Sequence, residues 1–170
     1  MGARRFEWVR EAVGERLEVG LDLHCAFDVP SAIRIGQAIR IGQAIRELAP
    51  YFIEEPIRAH NAAALREVRN STGVPIAAGE RIFSHWGFRE ILELNAADVL
   101  NPDLAWTGGI SEVREIASYA QVHYVPVAPH NYGPFSCLAL THLMATIPNT
   151  CHLEFTTYHY PVPSLEYLPG

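Results

Sequence analysis

The sequence contains no lysine; all 13 of its basic residues are arginine. That removes Schiff-base chemistry, a lysine general base and the lysine-bearing phosphate loop. Cysteine is scarce as well. Cys25, Cys137 and Cys151 are odd in number and far apart. They argue against a disulfide framework or a zinc knuckle and for reduced, mostly buried thiols of a cytoplasmic protein. No apolar run approaches the roughly 20 residues of a membrane span, and no secretory pattern opens the chain. A basic cluster is missing too, and the net charge is −6, which argues against nucleic acid as a partner. No glycine fingerprint for a dinucleotide follows any strand candidate.

What is present is an alternation. The chain has 170 residues, 49% of them hydrophobic, enough for one domain or part of a larger one. Helical spacing over 4–13 is followed by a short apolar run over 17–24, "LEVGLDLH". The helical stretch 31–48 begins at Pro30-Ser31. The strand candidate "YFIEEP" precedes helical spacing over 61–70. "VPIAAGE" precedes a helix over 86–94, and "AADVLNPD" one over 110–121, where Val113, Ile116, Ala117 and Ala120 share a face. "WTGGI" is expected to start that helix. "YVPVAPH" precedes an apolar helix over 135–145, and "TCHLEF" is a sixth strand candidate. The tail "YHYPVPSLEYLPG" is proline-rich and irregular. Alternating β and α with nearly continuous apolar strands predicts an α/β fold with a parallel sheet. An open doubly wound sheet remains possible, but polar residues at every strand end suit a barrel rim better.

Each strand candidate closes on ionisable residues: Asp22 and His24, Glu54 and Glu55, Glu80, Asp103, His130, and Glu154. The carboxyl ends of parallel strands are where such folds place active sites. If neighbouring strands carry Asp22, Glu54 and Glu80 side by side, three carboxylates form a hard oxygen site suited to Mg²⁺. Asp103 and His130 fall on the next two strands. A carboxylate beside a histidine fixes its tautomer and raises its basicity, as a general base requires. A single acid at a strand end is more often a helix cap or a solvated loop residue. Here six strand ends out of six carry such groups, several of them against apolar neighbours, where charge is costly unless compensated.

The motifs "DLH", "FIEEP", "PIAAGER", "NPDLAWTGGI" and "VAPHNYGP" together resemble the C-terminal barrel of the enolase superfamily, mandelate racemase/muconate lactonizing enzyme type. They are most like its acid-sugar, galactonate-type dehydratases. The resemblance implies a partial TIM-like (β/α) barrel whose six parallel strands match strands 3–8 of the family's (β/α)7β barrel. It implies Mg²⁺ on Asp22, Glu54 and Glu80, and a catalytic dyad of Asp103 and His130. His24 would assist departure of the β-hydroxyl. Glu154 would contact the substrate carboxylate, with Arg81 and Glu55 as further substrate-side candidates and Glu55 set back from the metal. The implied reaction removes the proton α to a carboxylate and eliminates water, giving a 2-keto-3-deoxy sugar acid. The implied partners are a small sugar acid and further copies of the chain, with no nucleic acid or membrane.

Against that frame, residues 1–170 read as a single truncated barrel domain. The capping domain and the first two strands are missing, including the strand that usually carries a lysine. The alternatives are a decayed, inactive fragment that still binds metal, and a racemase, epimerase or cycloisomerase of the same superfamily. The missing lysine weighs against a two-base racemase.

One stretch breaks the spacing. IRIGQA occurs twice in a row, at 33–38 and 39–44. Glu54, Glu80, Asp103 and His130 succeed one another at 26, 23 and 27 residues, but Asp22 and Glu54 are 32 apart. Removing one six-residue copy leaves 26. Six residues turn a helix by about 240° net, so Ile33, Ile39 and Ile45 cannot share one stripe. The insertion is therefore expected to be absorbed on the helix side, through an over-long helix or a loop at Gly36 or Gly42. Asp22 and Glu54 would stay on adjacent strand ends.

Overall fold

The computed structural model describes residues 2–42 and 50–155. The chain divides into two compact units: Met1–Ala78 with Glu93–Asp98, and Gly79–Leu92 with Val99–Gly170.

The first unit holds α1 (Gly2–Val13), β1 (Leu21–Asp22), α2 (Val29–Gly42), β2 (Ile53–Glu54), α3 (Ala62–Thr72) and β3 (Ile76–Ala78). Its strands are parallel and in chain order, with Leu21 level with Ile53, Asp22 with Glu54, and Glu54 with Ala77. Ile53, Ile76, Ala77 and Ala78 are buried, the both-faces burial expected of parallel strands covered by helices. Helix α3 follows its sequence signals closely. Asn61 caps it by accepting from the Ala64 N–H at 3.0 Å, Leu65 and Val68 bury its apolar stripe, and Gly73 ends it in the left-handed region at φ 64°. Arg69 on α3 donates to Asp98 Oδ1 at 2.6 Å, and Asp98 Oδ2 accepts from the Ile76 N–H at 2.9 Å, fixing that helix to the start of β3.

The structure corrects one expectation in this unit and decides between two others. Helix α2 is capped by Asp28, whose carboxylate accepts from the Ser31 N–H at 2.8 Å, and Pro30 and Ser31 lie inside the first turn. Pairing on β1 begins early, with the Tyr51 N–H donating to the Val19 carbonyl at 2.8 Å. It ends at His24 and Cys25, whose φ values of 49° and 58° leave the extended region. The doubled IRIGQA runs as continuous helix from its first copy into its second as far as Gly42. Gly36 does not loop out. It is buried where α2 meets α3, and a Cβ there would overlap the Thr72 side chain. Residues 43–49, which end the second copy and the helix expected to 48, lie outside the described residues, as does the tail from 156.

The second unit holds α4 (Ser84–Glu93, of which Glu93 falls in the first unit), β4 (Val99–Leu100), α5 (Leu104–Thr107), α6 (Ile110–Val122) and α7 (Pro134–Met144). The four residues expected on one face of α6 are all buried. The short α5 is an addition to the sequence reading. "WT" closes it, and Gly108 and Gly109, at φ 123° and 98°, separate it from α6. The fifth and sixth strands shrink to single parallel bridges, Leu100 with Val127 and Val127 with Thr150. Pro126 and Pro129 bracket that segment and cannot donate to a ladder, so donation is confined to Val127 and Ala128, while the Pro126 and Pro129 carbonyls accept from the N–H groups of Leu100 and Glu154. Among the described residues no helix is long and apolar enough to cross a membrane.

Candidate active site

In the second unit, Asp103 stands three residues beyond β4 and is 1% exposed. Its two oxygens have separate duties. Oδ1 accepts from the N–H groups of Ala105 and Trp106 at 2.8 and 2.9 Å, capping α5. Oδ2 lies 2.7 Å from His130 Nδ1. A carboxylate fixed by a helix start thus fixes a histidine. With Nδ1–H donated to Asp103, His130 Nε2 is left facing two more carboxylates, Glu80 Oε2 at 3.5 Å and Glu154 Oε2 at 3.7 Å. The same Glu154 oxygen accepts the Asn131 N–H at 3.0 Å. Arg81 Nε donates to the other Glu80 oxygen at 3.0 Å. Gly79, at φ 129°, brings the chain into Glu80 across the ring of Phe88, where a Cβ would approach within 2.5 Å of that ring.

The electrostatics follow from that geometry. Burial pushes His130 down. The hydrogen bond to Asp103 and the fields of Glu154, Glu80 and Asp103 outweigh burial and raise it to about 8. Burial pushes the Asp103 carboxyl up, but His130 and the two α5 N–H groups hold it below its ordinary value. The two partners shift in opposite directions, as a buried ion pair should.

In the first unit the register sets Asp22 and Glu54 level on adjacent parallel strands, as the spacing without one IRIGQA copy predicts. Level residues on neighbouring strands share a face. Asp22 Oδ1 accepts the His24 N–H at 2.7 Å. Glu55 has another place. It is 0% exposed, its Oε2 accepts from the Cys25 thiol at 2.8 Å, and its φ of 41° is left-handed. It therefore presents no surface to a bound molecule, in contrast to the substrate-side position expected of it. A non-glycine residue in that region costs about 1–3 kcal/mol and persists only where its surroundings hold it.

The donor chemistry fits Mg²⁺. Asp22, Glu54 and Glu80 offer only carboxylate oxygens, and the backbone sets the first two level on one face. Among the described residues no three His, Cys, Asp or Glu side chains are gathered into a group able to hold an ion. What is built in is thus the pair in one unit and the His130 cluster in the other. Two contributors escaped the sequence reading, the Cys25 thiol and the backbone N–H of Asn131. Cys25 sits three residues beyond the strand-end Asp22 in "DLHC", a place that could have marked it. Nothing in the sequence marks the Asn131 N–H.

A family model described as Enolase C-terminal domain-like matches residues 1–169, and the chain belongs to that family. Among particular relatives, it is 37% identical over 156 residues to a D-xylonate dehydratase from Haloferax volcanii, covering 89% of this chain and 36% of the relative. A mandelate racemase/muconate lactonizing enzyme-like protein from Rubrobacter xylanophilus superimposes with a TM-score of 0.85 at 39% identity, over 94% of this chain and 39% of that one. An enolase from Agrobacterium radiobacter, provisionally named a galactarate dehydratase and crystallised with sodium and L-malate, gives 0.81 at 32% identity, over 91% and 38%. The chain thus spans well under half the length of these relatives. At these similarities the α/β architecture is that of part of the family's barrel.

Proposed function

We propose that the chain carries the barrel chemistry of a Mg²⁺-dependent acid-sugar dehydratase, a hydro-lyase. The observation that carries this reading is the His130–Asp103 pair, with Glu80 and Glu154 gathered at the far nitrogen of the ring. Asp103 keeps the proton on Nδ1, so Nε2 is the atom that takes the proton α to the substrate carboxylate. Glu80 and Glu154 raise the basicity of that nitrogen. Arg81, paired with Glu80 and half-exposed, is placed to meet an anionic substrate. His24, exposed beside Asp22, donates a proton to the departing β-hydroxyl. Asp22, Glu54 and Glu80 would hold Mg²⁺, which when bound supplies positive charge opposite the substrate carboxylate as its α-carbon loses a proton. The names of the relatives support a sugar acid as substrate, D-xylonate or galactarate among them.

The test is a panel of aldonic and aldaric acids incubated with the chain and Mg²⁺, read as 2-keto-acid formation, with Mg²⁺ binding measured by calorimetry. The reading expects product that disappears in His130→Asn, and Mg²⁺ binding weakened at least about ten-fold in Glu54→Gln. A folded chain that neither binds Mg²⁺ nor yields product would refute it. Mg²⁺ binding without turnover would leave a metal-binding fragment.

A further inference from the structure

The carboxyl ends of β1 and β2 depart from the sheet pattern in a way that the reaction above does not use. Along β2, alternate residues serve alternate neighbours. The Phe52 and Glu54 carbonyls accept from Leu21 and Leu23, while the N–H groups of Ile53 and Glu55 donate to Pro75 and Ala77. By that alternation the Glu55 carbonyl should also face β3. Instead it accepts the Cys25 N–H at 2.7 Å, on the β1 side. The left-handed φ of 41° at Glu55 makes this reversal. It does so immediately before Pro56, where the preceding residue ordinarily stays extended.

The Glu55 side chain turns toward the same residue, accepting a hydrogen bond from the Cys25 thiol on Oε2 at 2.8 Å. One residue thus binds Cys25 twice, through backbone and side chain, and is wholly buried while doing so. On the β1 side, His24 and Cys25 are both left-handed, and the His24 N–H is fixed by Asp22. Three non-glycine residues in the left-handed region within two adjacent strand ends persist only where bonds hold them. These bonds converge on Cys25 and Glu55.

We propose that Cys25 and Glu55 are positioning residues: their double link holds the left-handed turn that directs His24 and keeps the Glu54 carboxylate level with Asp22. The proposal rests on the dehydratase reading for its kinetic consequence, but not for its structural one. The thiol acts as a hydrogen-bond donor, so serine, which also donates, should replace it and alanine should not.

The experiment uses the full chain as wild type, Cys25→Ser, Cys25→Ala and Glu55→Leu. Intraresidue amide-to-α-proton Overhauser effects, strong where φ is positive, are read at His24, Cys25 and Glu55. Kinetics and melting temperature are measured alongside. Wild type and Cys25→Ser should give strong effects at position 24, and Cys25→Ala should lose them. Cys25→Ala should lower kcat about ten-fold or more with KM little changed, and Cys25→Ser should recover most of it. A general structural role would instead lower the melting temperature and leave kcat per folded molecule unchanged, and that result overturns the proposal. So does an unaltered Overhauser pattern in Cys25→Ala. If neither Cys25→Ala nor Glu55→Leu folds, the wild-type spectrum still decides, since weak effects at His24 and Glu55 there would remove the turn. A wild type with no turnover on any sugar acid refutes the dehydratase reading alone, because the Overhauser arm does not depend on it.

Discussion

The two units secure their acidic side chains by different means. In the second, Asp103, His130, Glu80 and Glu154 hold one another through charged side chains, with α5 anchoring the first. In the first, Asp22 and Glu54 are level because two strands pair in register, and the turn beyond them is held in a strained conformation by a buried carboxylate and a thiol. The ionic cluster depends on side-chain contacts, with Asp103 fixed by α5 and His130 fixed by Asp103. The register pair depends on backbone pairing, since a slip of one residue sends a side chain to the opposite face. The contrast makes the doubled IRIGQA informative. It falls on α2, just before the strand whose register matters, yet Asp22 still meets Glu54.

The largest effect should come from the second unit. His130→Asn keeps a hydrogen-bonding group beside Asp103 but removes the basic nitrogen. Turnover of any sugar-acid substrate should fall by about 10²–10⁴-fold, measured as 2-keto acid formed per folded chain. If most of the activity survives, the base lies elsewhere and the ionic cluster is structural.

The ionic character of that cluster can be titrated directly. In the metal-free chain, His130 should show an NMR midpoint near 8, well above its ordinary 6.5. Asp103→Asn removes the largest upward contribution and should bring the midpoint down. The stability consequence has a definite sign. A raised histidine pKa contributes stability that is fully present below about 6.5 and is lost as pH rises through about 8. Asp103, held low, works in the other direction; its contribution is present above 3.8 and is lost as pH falls through its depressed value. The pair should therefore stabilise the fold most between these limits. A flat dependence on pH across both windows, in denaturant titrations of wild type against Asp103→Asn, would remove the ion pair.

The same contrast explains what could be read from the sequence. Asn61, the Leu65 and Val68 stripe and Gly73 mark α3 locally, and α6 declares itself through Val113, Ile116, Ala117 and Ala120. Asp103 and His130 fall at strand ends a repeat unit apart, so their meeting follows from βα periodicity. The hidden parts depend on partners distant in sequence or on backbone that no side chain announces. Glu55 reads as a substrate-side acid set back from the metal until its carbonyl is seen turned toward Cys25, 30 residues earlier. Four-residue α5 is too short for any periodicity. The fifth and sixth strands were expected whole because Val125 and Val127 are strong strand formers, but Pro126 and Pro129 remove the donors that would lengthen the pairing.

A packing change should disturb the register pair while leaving the ionic cluster chemically intact. Gly36 lies against Thr72, so a side chain there forces α2 and α3 apart. Gly36→Val should cost about 1–3 kcal/mol by denaturant unfolding. In the folded fraction it should weaken Mg²⁺ binding while leaving the His130 midpoint unmoved. If the His130 midpoint shifts and Mg²⁺ binding does not, the roles assigned to register and ionic contact are reversed.

The smallest effect should come from an ion pair that resembles the dyad in distance but not in setting. One oxygen of Glu112 on α6 accepts both the backbone N–H and Nδ1 of His85 at 2.8 Å, the first serving the start of α4. The backbone bond and then the ring bond hold the Glu112 carboxyl below its ordinary value. Its contribution to stability is therefore present above about 4.5 and lost as pH falls below that. His85 and Glu112 are both about one-third exposed, whereas Asp103 is buried. Solvent screens the exposed pair, and an exposed pair is worth little. Glu112→Gln keeps an oxygen that can accept both bonds and removes only the charge. Its melting temperature at pH 7 should match wild type within error, whereas Glu112→Ala, which removes the acceptor as well, should lower it. If Glu112→Gln proves as damaging as Asp103→Asn, then separation alone sets the worth of an ion pair in this protein, and burial of the dyad would no longer explain its pKa shifts.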